Sequence, residues 1–465
     1  MRIVHAADSF APDVGGIERQ VEALALAQQA EGHDVTVITA VGDKCDLPLN
    51  VHRGLKTRWL TVAFPWLNHK MVARVLDDKH IDVIHAHFTV ISPIAIYIVR
   101  AASKRGIPVA VTVHSVWWKV GIATRLSSLL FFGPARMRAI YSGVSSVVAG
   151  HVARTLPKAG AISVVPNLVD VDWWAPTGAP KHRTGVSERR LVLVGRLKKR
   201  KHIVEFIDIM ARVRAKYTAD ARISVSIVGE GPRRQDLQEQ INRFGLNDWV
   251  NLLGHREPEQ IRHLLHEADL FIAPSRQEAF GIAALEARGA GVPVMGYRFT
   301  GLIDFIQTDT EGVLVVDEDD MVNTLAKLLV DRERLDRLKV TTKQQQPSVT
   351  IKNAMNATYA LYRRAQLEID TRGSARPHRS SCIQRRRNHA PQAWRTIARR
   401  CRNSGPGRLR AVVHQVDVDV DQLVNDDLCC LFRSPARQVG IEGIEFDCSL
   451  SSFRCKVVLH RGLRF

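Results

Sequence analysis

The sequence predicts an α/β protein of two parallel-sheet domains, and three observations carry that expectation. Short apolar runs of strand character alternate with helical patterns throughout residues 2 to 345, as βα units that build parallel sheets do. The chain has 465 residues, 45% hydrophobic and 24% charged, enough to bury two cores of ordinary domain size. The alternation switches once, near VPNLVDVDWWAP (165 to 176), which the polar stretch TGAPKHRTGVSER follows. The expected division is therefore a first domain over 1 to 168 and a second over 169 to 347. A final helical pattern, about Val349 to Gln366, lies in a segment 348 to 370, and 371 to 465 form a tail.

In the first half, RIVHAA opens the chain as a buried strand, and Gly15-Gly16 follow where a helix begins. Those glycines serve equally as a plain turn. IDVIHAH (81 to 87) and VAVTVHS (109 to 115) are further strands. His85 and His87 alternate onto one face and are expected to be structural. His114 ends its strand, where a core role and a site role are both open.

The second half carries the chemistry. After the buried-type strand LVLVG (191 to 195) come Arg196 and, five residues on, Lys201, just ahead of the helical pattern VEFIDIMARV. Both leave the carboxyl end of a parallel-type strand, where ligands of open α/β sheets bind. Arginine offers a planar fork and lysine a point charge, so the pair is suited to neutralise a diphosphate without a metal ion. The next strand, ISVSIV, ends at Gly229-Glu230-Gly231, but Pro232 and Arg233 follow and no third glycine completes a dinucleotide fingerprint. That loop is expected beside a nucleotide base, not a nicotinamide.

The strand ADLFIA (268 to 273) then turns into a helix through a run bracketed by Glu278 and Glu286. Gly281 lacks a side chain, so the amides opening the helix can approach a phosphate and present the positive end of its dipole. Glu286 falls roughly 7 to 8 Å further along the axis, and Glu278 precedes it. Two carboxylates thus flank an anion site, as suits a ligand with hydroxyl groups at both ends and a diphosphate between. Taken alone, Glu278 is also readable as a solvated loop residue and Glu286 as a favourable first-turn charge.

With these motifs in order, the chain resembles the retaining glycosyltransferases of family four, from Met1 to about Gln366. The matching segments are PDVGGIE, IDVIHAH, VAVTVHS, VVPNLVD, VGRLKKRK, IVGEGP, the Glu-x7-Glu run and EARGAGVPV. The resemblance implies the GT-B fold, two Rossmann-like domains facing a cleft, with the 348 to 370 helix crossing back to the first. It implies that Arg196 and Lys201 hold the donor diphosphate, that Glu278 lies beside the transferred sugar and that Glu286 takes the ribose hydroxyls. Phe280, Gly281 and Ile282 match the backbone contacting sugar and phosphates, Gly16 the glycine that lets the first domain close, and His114 the histidine facing the sugar. It implies transfer with retention from a nucleotide-diphosphate sugar, mannosyl among the candidates, to a glycan or lipid-linked acceptor in envelope or surface glycan synthesis. No cofactor or metal is expected. Two positions depart from the pattern: His202 and Leu168 stand where the family carries glycine, so the turn at Leu168 must avoid a positive φ. Alternative readings are a GT-B epimerase acting on the same donor, or a polyanion-binding protein acting through its tail.

The net charge is +19, of which residues 371–465, with 18 Lys and Arg against 8 Asp and Glu, carry +10. That tail holds six of the seven cysteines without paired CxxC spacing, which disfavours a zinc module. A basic arm, a small appended domain and sequence outside the enzyme fold remain as readings, the last preferred; no nucleic-acid partner is expected. In the body, Trp117 to Arg138 interleaves Trp117, Phe131 and Phe132 with Lys119, Arg125 and Arg136, a patch suited to an anionic membrane surface or to core packing. Neither a leader peptide nor a spanning helix is legible, so a cytoplasmic location is expected.

Overall fold

A computed structural model describes residues 1–13, 15–43, 46–54, 64–77, 80–90, 92–116, 138–157, 159–176, 188–217, 222–374, 441–449 and 454–461. The aromatic and basic stretch 117 to 137 and most of the tail lie outside the described residues. Met1–Ala375 form one compact unit.

Two sheets organise that unit. The first holds seven strands in the order β3-β2-β1-β4-β5-β6-β7 and the second six, in the order β10-β9-β8-β11-β12-β13. The first comprises β1 (Arg2–Ala7), β2 (Asp34–Thr39), β3 (Asn50–Arg53), β4 (Val83–Phe88), β5 (Val109–Val113), β6 (Ile140–Gly143) and β7 (Ser163–Val164). The second comprises β8 (Glu188–Val194), β9 (Arg222–Val228), β10 (Val250–Gly254), β11 (Leu270–Ala273), β12 (Val294–Tyr297) and β13 (Gly312–Val315). Neighbours pair in parallel throughout. Parallel neighbours need crossover connections, which the intervening helices supply. The α/β class and the two parallel sheets are those expected.

Local sequence explains the helices that position the site. Ile203–Lys216 buries Ile203, Phe206, Ile207, Met210 and Val213, an apolar stripe at helical spacing that packs on the second sheet. Pro93–Arg105 opens with proline and stops at Gly106, φ 76°, a left-handed cap that glycine adopts without strain. Its first turn is held from β1: both Asp8 carboxylate oxygens accept backbone amides, from Ile94 at 3.0 Å and Ala95 at 3.1 Å.

The last helix of the unit, Ile351–Ser374, packs against the first sheet although it follows the second in sequence. Leu361 and Tyr362 join Ile3, Val83, Ala110 and Val165 in one cluster, and Ala354 and Met355 pack with Leu24 and Leu168. Leu168 is not among the described non-glycine residues with positive φ; its turn keeps ordinary geometry and buries the side chain. The helix continues past 370, the limit expected for it. Beyond it, β14 (Ile441–Ser449) and β15 (Arg454–Arg461) pair antiparallel, an element unanticipated within the tail and one that alternating runs such as IEFDC permit.

Among the described residues Arg288 is the largest fully buried side chain, 1% exposed. Its guanidinium donates to Glu311 at 2.6 Å and to the carbonyls of Thr342 at 2.7 Å and Gln345 at 2.9 Å, which ties the helix Arg332–Gln344 to the approach to β13. Removing one partner of a buried pair strands the other charge. Arg288→Met is therefore expected to lower unfolding free energy by on the order of 3 to 5 kcal/mol, read as a lower denaturant midpoint at unchanged m-value.

Candidate functional site

In each sheet the strand order reverses beside the first strand, between β1 and β4 and between β8 and β11. Connections leave in opposite directions there and open a crevice at the carboxyl ends, where doubly wound folds take ligands. The sequence-predicted residues gather at these two places. Arg196 and Lys201 follow β8, Glu278 to Glu286 follow β11, Gly15 and Gly16 follow β1, and His114 follows β5.

Two of the predicted groups meet directly. Lys201 Nζ donates to Glu278 Oε2 at 2.7 Å, with the lysine 40% and the carboxylate 17% exposed. Lys201 ends a 3-10 turn, Lys199–Lys201. Glu278 is fixed through its own carbonyl, which accepts the Gly301 amide at 3.0 Å. Arg196 reaches the other half of the crevice: a Cβ on Gly15 would fall 2.3 Å from Arg196 Nη2 and 2.2 Å from Glu18 Oε2. Gly15 has extended backbone, φ −178°, so its conformation does not require glycine, and a side chain there would push the far ends of Arg196 and Glu18 aside. A Cβ on Gly16 would stand 3.4 Å from Ile282 Cδ1, which brings the amino-terminal loop against the β11 helix.

Glycines also let the loops of the second sheet touch. Gly229 has φ +137°, and a Cβ there would lie 2.0 Å from the Gly195 carbonyl oxygen. Leu197 N donates to the Glu230 carbonyl at 2.9 Å, and the Arg233 amide donates to the Leu197 carbonyl at 3.0 Å, so Arg196 sits in a stitched turn. Gly281, φ 101°, caps the helix Ile282–Gly289 with no side-chain hydrogen bond, leaving its first amides for an anion. Phe280 is 2% exposed and its ring packs 5.4 Å from Phe305; this residue offers the crevice its backbone. Ser145 Oγ, from the first half, donates to the Ala279 carbonyl at 2.6 Å.

His202 occupies the left-handed region at the cap of Ile203–Lys216, φ 51°, where glycine would be unstrained. Its Nδ1 stands 3.0 Å from the Arg200 carbonyl, a local hydrogen bond that helps hold the conformation.

Electrostatics separate the carboxylates. Burial raises the Glu286 pKa to about 7, with Arg19 of the first helix opposing. Burial lowers His114 to about 4, opposed by a hydrogen bond with the Asn167 side chain. His114 is thus neutral at physiological pH. His85 and His87 are fully enclosed, each with both ring nitrogens hydrogen-bonded. Sequence reasoning missed Glu18, Arg19 and Asn167; only the proximity of Glu18 and Arg19 to Gly15-Gly16, and of Asn167 to the switch between halves, marked them. The assembled groups suit an anion held between Arg196, Lys201 and a helix start, with acceptors for hydroxyl groups on either side.

Two family models match: Glycosyltransferase Family 4 over residues 14–173 and Glycosyl transferases group 1 over residues 179–345. The chain is similar to a glycogen synthase of Mycobacterium tuberculosis, 26% identical over 67% of this chain and 82% of that one. It is also similar to the GDP-mannose:cellobiosyl-diphosphopolyprenol alpha-mannosyltransferase of Xanthomonas oryzae, 28% identical over 63% and 78%. Among solved structures, Anabaena Alr3699/HepE in complex with UDP and glucose superposes with TM-score 0.58 at 18% identity, covering 81% of this chain and 100% of that one.

A carboxyl whose folded pKa lies near 7, above its ordinary 4.5, contributes stability fully below about 4.5 and loses it as pH rises through 7. Glu286→Gln mimics the protonated form. Its melting temperature is expected to match the wild type near pH 4.5 and to exceed it at pH 8; parallel curves across that range would contradict a raised pKa.

Proposed function

The chain belongs to the family-four glycosyltransferases of the GT-B fold, and from that premise we propose that the crevice between its two sheets holds a nucleotide-diphosphate sugar, the donor of the glycosyl group it transfers. The observation that carries this reading is the Lys201–Glu278 contact of 2.7 Å at the β8/β11 switch point. Lys201 exchanges Glu278 for the donor diphosphate, Arg196 takes its other oxygens, and the amides after Gly281 complete the cradle. Glu278 then accepts from the transferred sugar and Glu286, once ionised, from the ribose hydroxyls. Phe280 and Ile282 present backbone to sugar and phosphates, Gly229 lies beside the base, and Gly15 and Gly16 admit the close approach of the first half. His114 faces the sugar.

Transfer then proceeds with retention. The bond from anomeric carbon to diphosphate oxygen breaks, the acceptor oxygen bonds on the same face, and the acceptor's proton passes to the departing diphosphate. Arg196 and Lys201 supply the charge stabilisation, so the reaction is metal-independent and continues in EDTA; positioning supplies the rest. The acceptor is a glycan or lipid-linked sugar in envelope or surface glycan synthesis, a reading supported by the polyprenol-linked acceptor in the name of the Xanthomonas relative. Among the described residues no helix is long and apolar enough to cross a membrane; we place the enzyme in the cytoplasm, touching an anionic leaflet through residues 117 to 138.

Lys201→Ala is expected to lower kcat by about 10² or more, the scale of losing one transition-state charge contact, with only a small change in melting temperature because the lysine end of the pair is 40% exposed and screened by solvent. Near-normal turnover would remove the diphosphate role. A thermal-shift panel of UDP-, GDP- and ADP-sugars should single out one base, since a ligand of the folded state raises its melting temperature. Changing Phe131 and Phe132 to Ser should weaken binding to phosphatidylserine vesicles; unchanged binding would end the membrane assignment.

A further inference from the structure

The buried histidines of the first sheet lie on one unbroken path of hydrogen bonds, and its end group fixes the direction of every proton along it. Ser142 Oγ stands 3.1 Å from the Val111 carbonyl, which can only accept, so the serine hydroxyl donates there. Ser142 then accepts the Thr112 hydroxyl 2.9 Å away, and Thr112 in turn accepts from His85 Nε2–H at 2.7 Å. A neutral imidazole protonated on Nε2 accepts at Nδ1, so the Tyr362 hydroxyl donates to His85 Nδ1 at 2.9 Å. Tyr362 Oη is left to accept from the Gln28 amide NH2 at 3.0 Å. The Gln28 carbonyl is thereby turned to His5 Nε2, 2.8 Å away.

The same rule continues on the far side of Gln28. His5 donates through Nε2–H, so its Nδ1 accepts from His87 Nε2–H at 2.9 Å. His87 Nδ1 accepts from His114 Nε2–H at 3.0 Å. A second proton on His5, His85 or His87 would set two donors face to face, and the groups around them, Gln28, Tyr362, Thr112 and Ser142, carry no charge to favour it. His5, His85 and His87 stand close enough together to hold a metal ion. All six of their ring nitrogens have protein partners, however, and the hydrogen-bonded path accounts for the cluster without one.

We propose that Gln28 and Tyr362 are positioning residues that hold His114 in a single neutral tautomer, proton on Nε2 and lone pair on Nδ1, so that Nδ1 accepts a hydroxyl of the transferred sugar. Because Nε2 is committed to His87, Nδ1 is the ring nitrogen whose lone pair is left to meet a sugar hydroxyl. The final step rests on the reading that His114 faces the sugar; the tautomer itself does not.

Long-range ¹H–¹⁵N correlation on the full-length protein with ¹⁵N-labelled histidine reads the tautomer directly, His114 being assigned by its disappearance in His114→Asn. The wild type is expected to show His114 solely as Nε2–H between pH 6 and 8. Tyr362→Phe cuts the path from its carbonyl anchor, so His114 should become a mixture of both tautomers. Its kcat should fall about fivefold at unchanged donor KM, the size of one neutral hydrogen bond made in the transition state. A wild-type His114 protonated on Nδ1, or on both nitrogens, overturns the proposal whether or not the variant folds. So does a Tyr362→Phe enzyme that keeps the single tautomer. A variant whose tautomers mix while kcat holds leaves the path standing and instead overturns the contact between His114 and the sugar.

Discussion

Parallel pairing of β8 with both β9 and β11 is the constraint on which the site depends. Parallel strands place all their carboxyl ends on one edge, and a reversal in strand order leaves two connections departing in opposite directions. Arg196 and Lys201 leave one of those strands and Glu278 the other, so residues 77 positions apart in sequence meet at 2.7 Å. The glycines follow from the same demand. Connections that share one edge must pass close to one another, and at Gly229, where a Cβ would strike the Gly195 carbonyl oxygen, no side chain fits, while one at Gly15 would displace the ends of Arg196 and Glu18.

The first sheet solves a different problem with its two faces. One face, with Ile84, Ala86, Phe88, Val111 and Val113, is apolar and packs on the helix Pro93–Arg105. The other carries His5, His85, His87 and Thr112, all nearly inaccessible to water. Such groups are costly to bury unless each donor finds an acceptor. The first helix and the last one meet that requirement through Gln28 and Tyr362. A polar buried face of this kind specifies register more narrowly than aliphatic packing would, because every bond has a direction as well as a distance.

Much of this was legible in the sequence, and the divide falls on physical lines. Strand and helix alternation reports itself through local periodicity, so the two parallel sheets could be anticipated. Arg196, Lys201, Glu278 and Glu286 were visible because each stands a fixed distance from a strand end. Glu18, Arg19 and Asn167 were not, since their importance arises from how close one half comes to the other. His5 and Tyr362 read as ordinary strand and helix residues; nothing local signals that they share one chain of bonds across 357 positions of sequence. The raised pKa of Glu286 is likewise a property of surroundings that no spacing encodes. The left-handed His202 shows the reverse case: the substitution was plain in the sequence, but the backbone kept the glycine-like conformation.

The helix Ile351–Ser374 covers a sheet whose strands were all complete by residue 164. A nascent chain leaving the ribosome therefore exposes that histidine-bearing surface for the whole time the second half is being synthesised. The amino-terminal portion cannot finish folding on its own during translation. A chain arrested before Tyr362 would leave His85 and Gln28 without the hydroxyl that joins them.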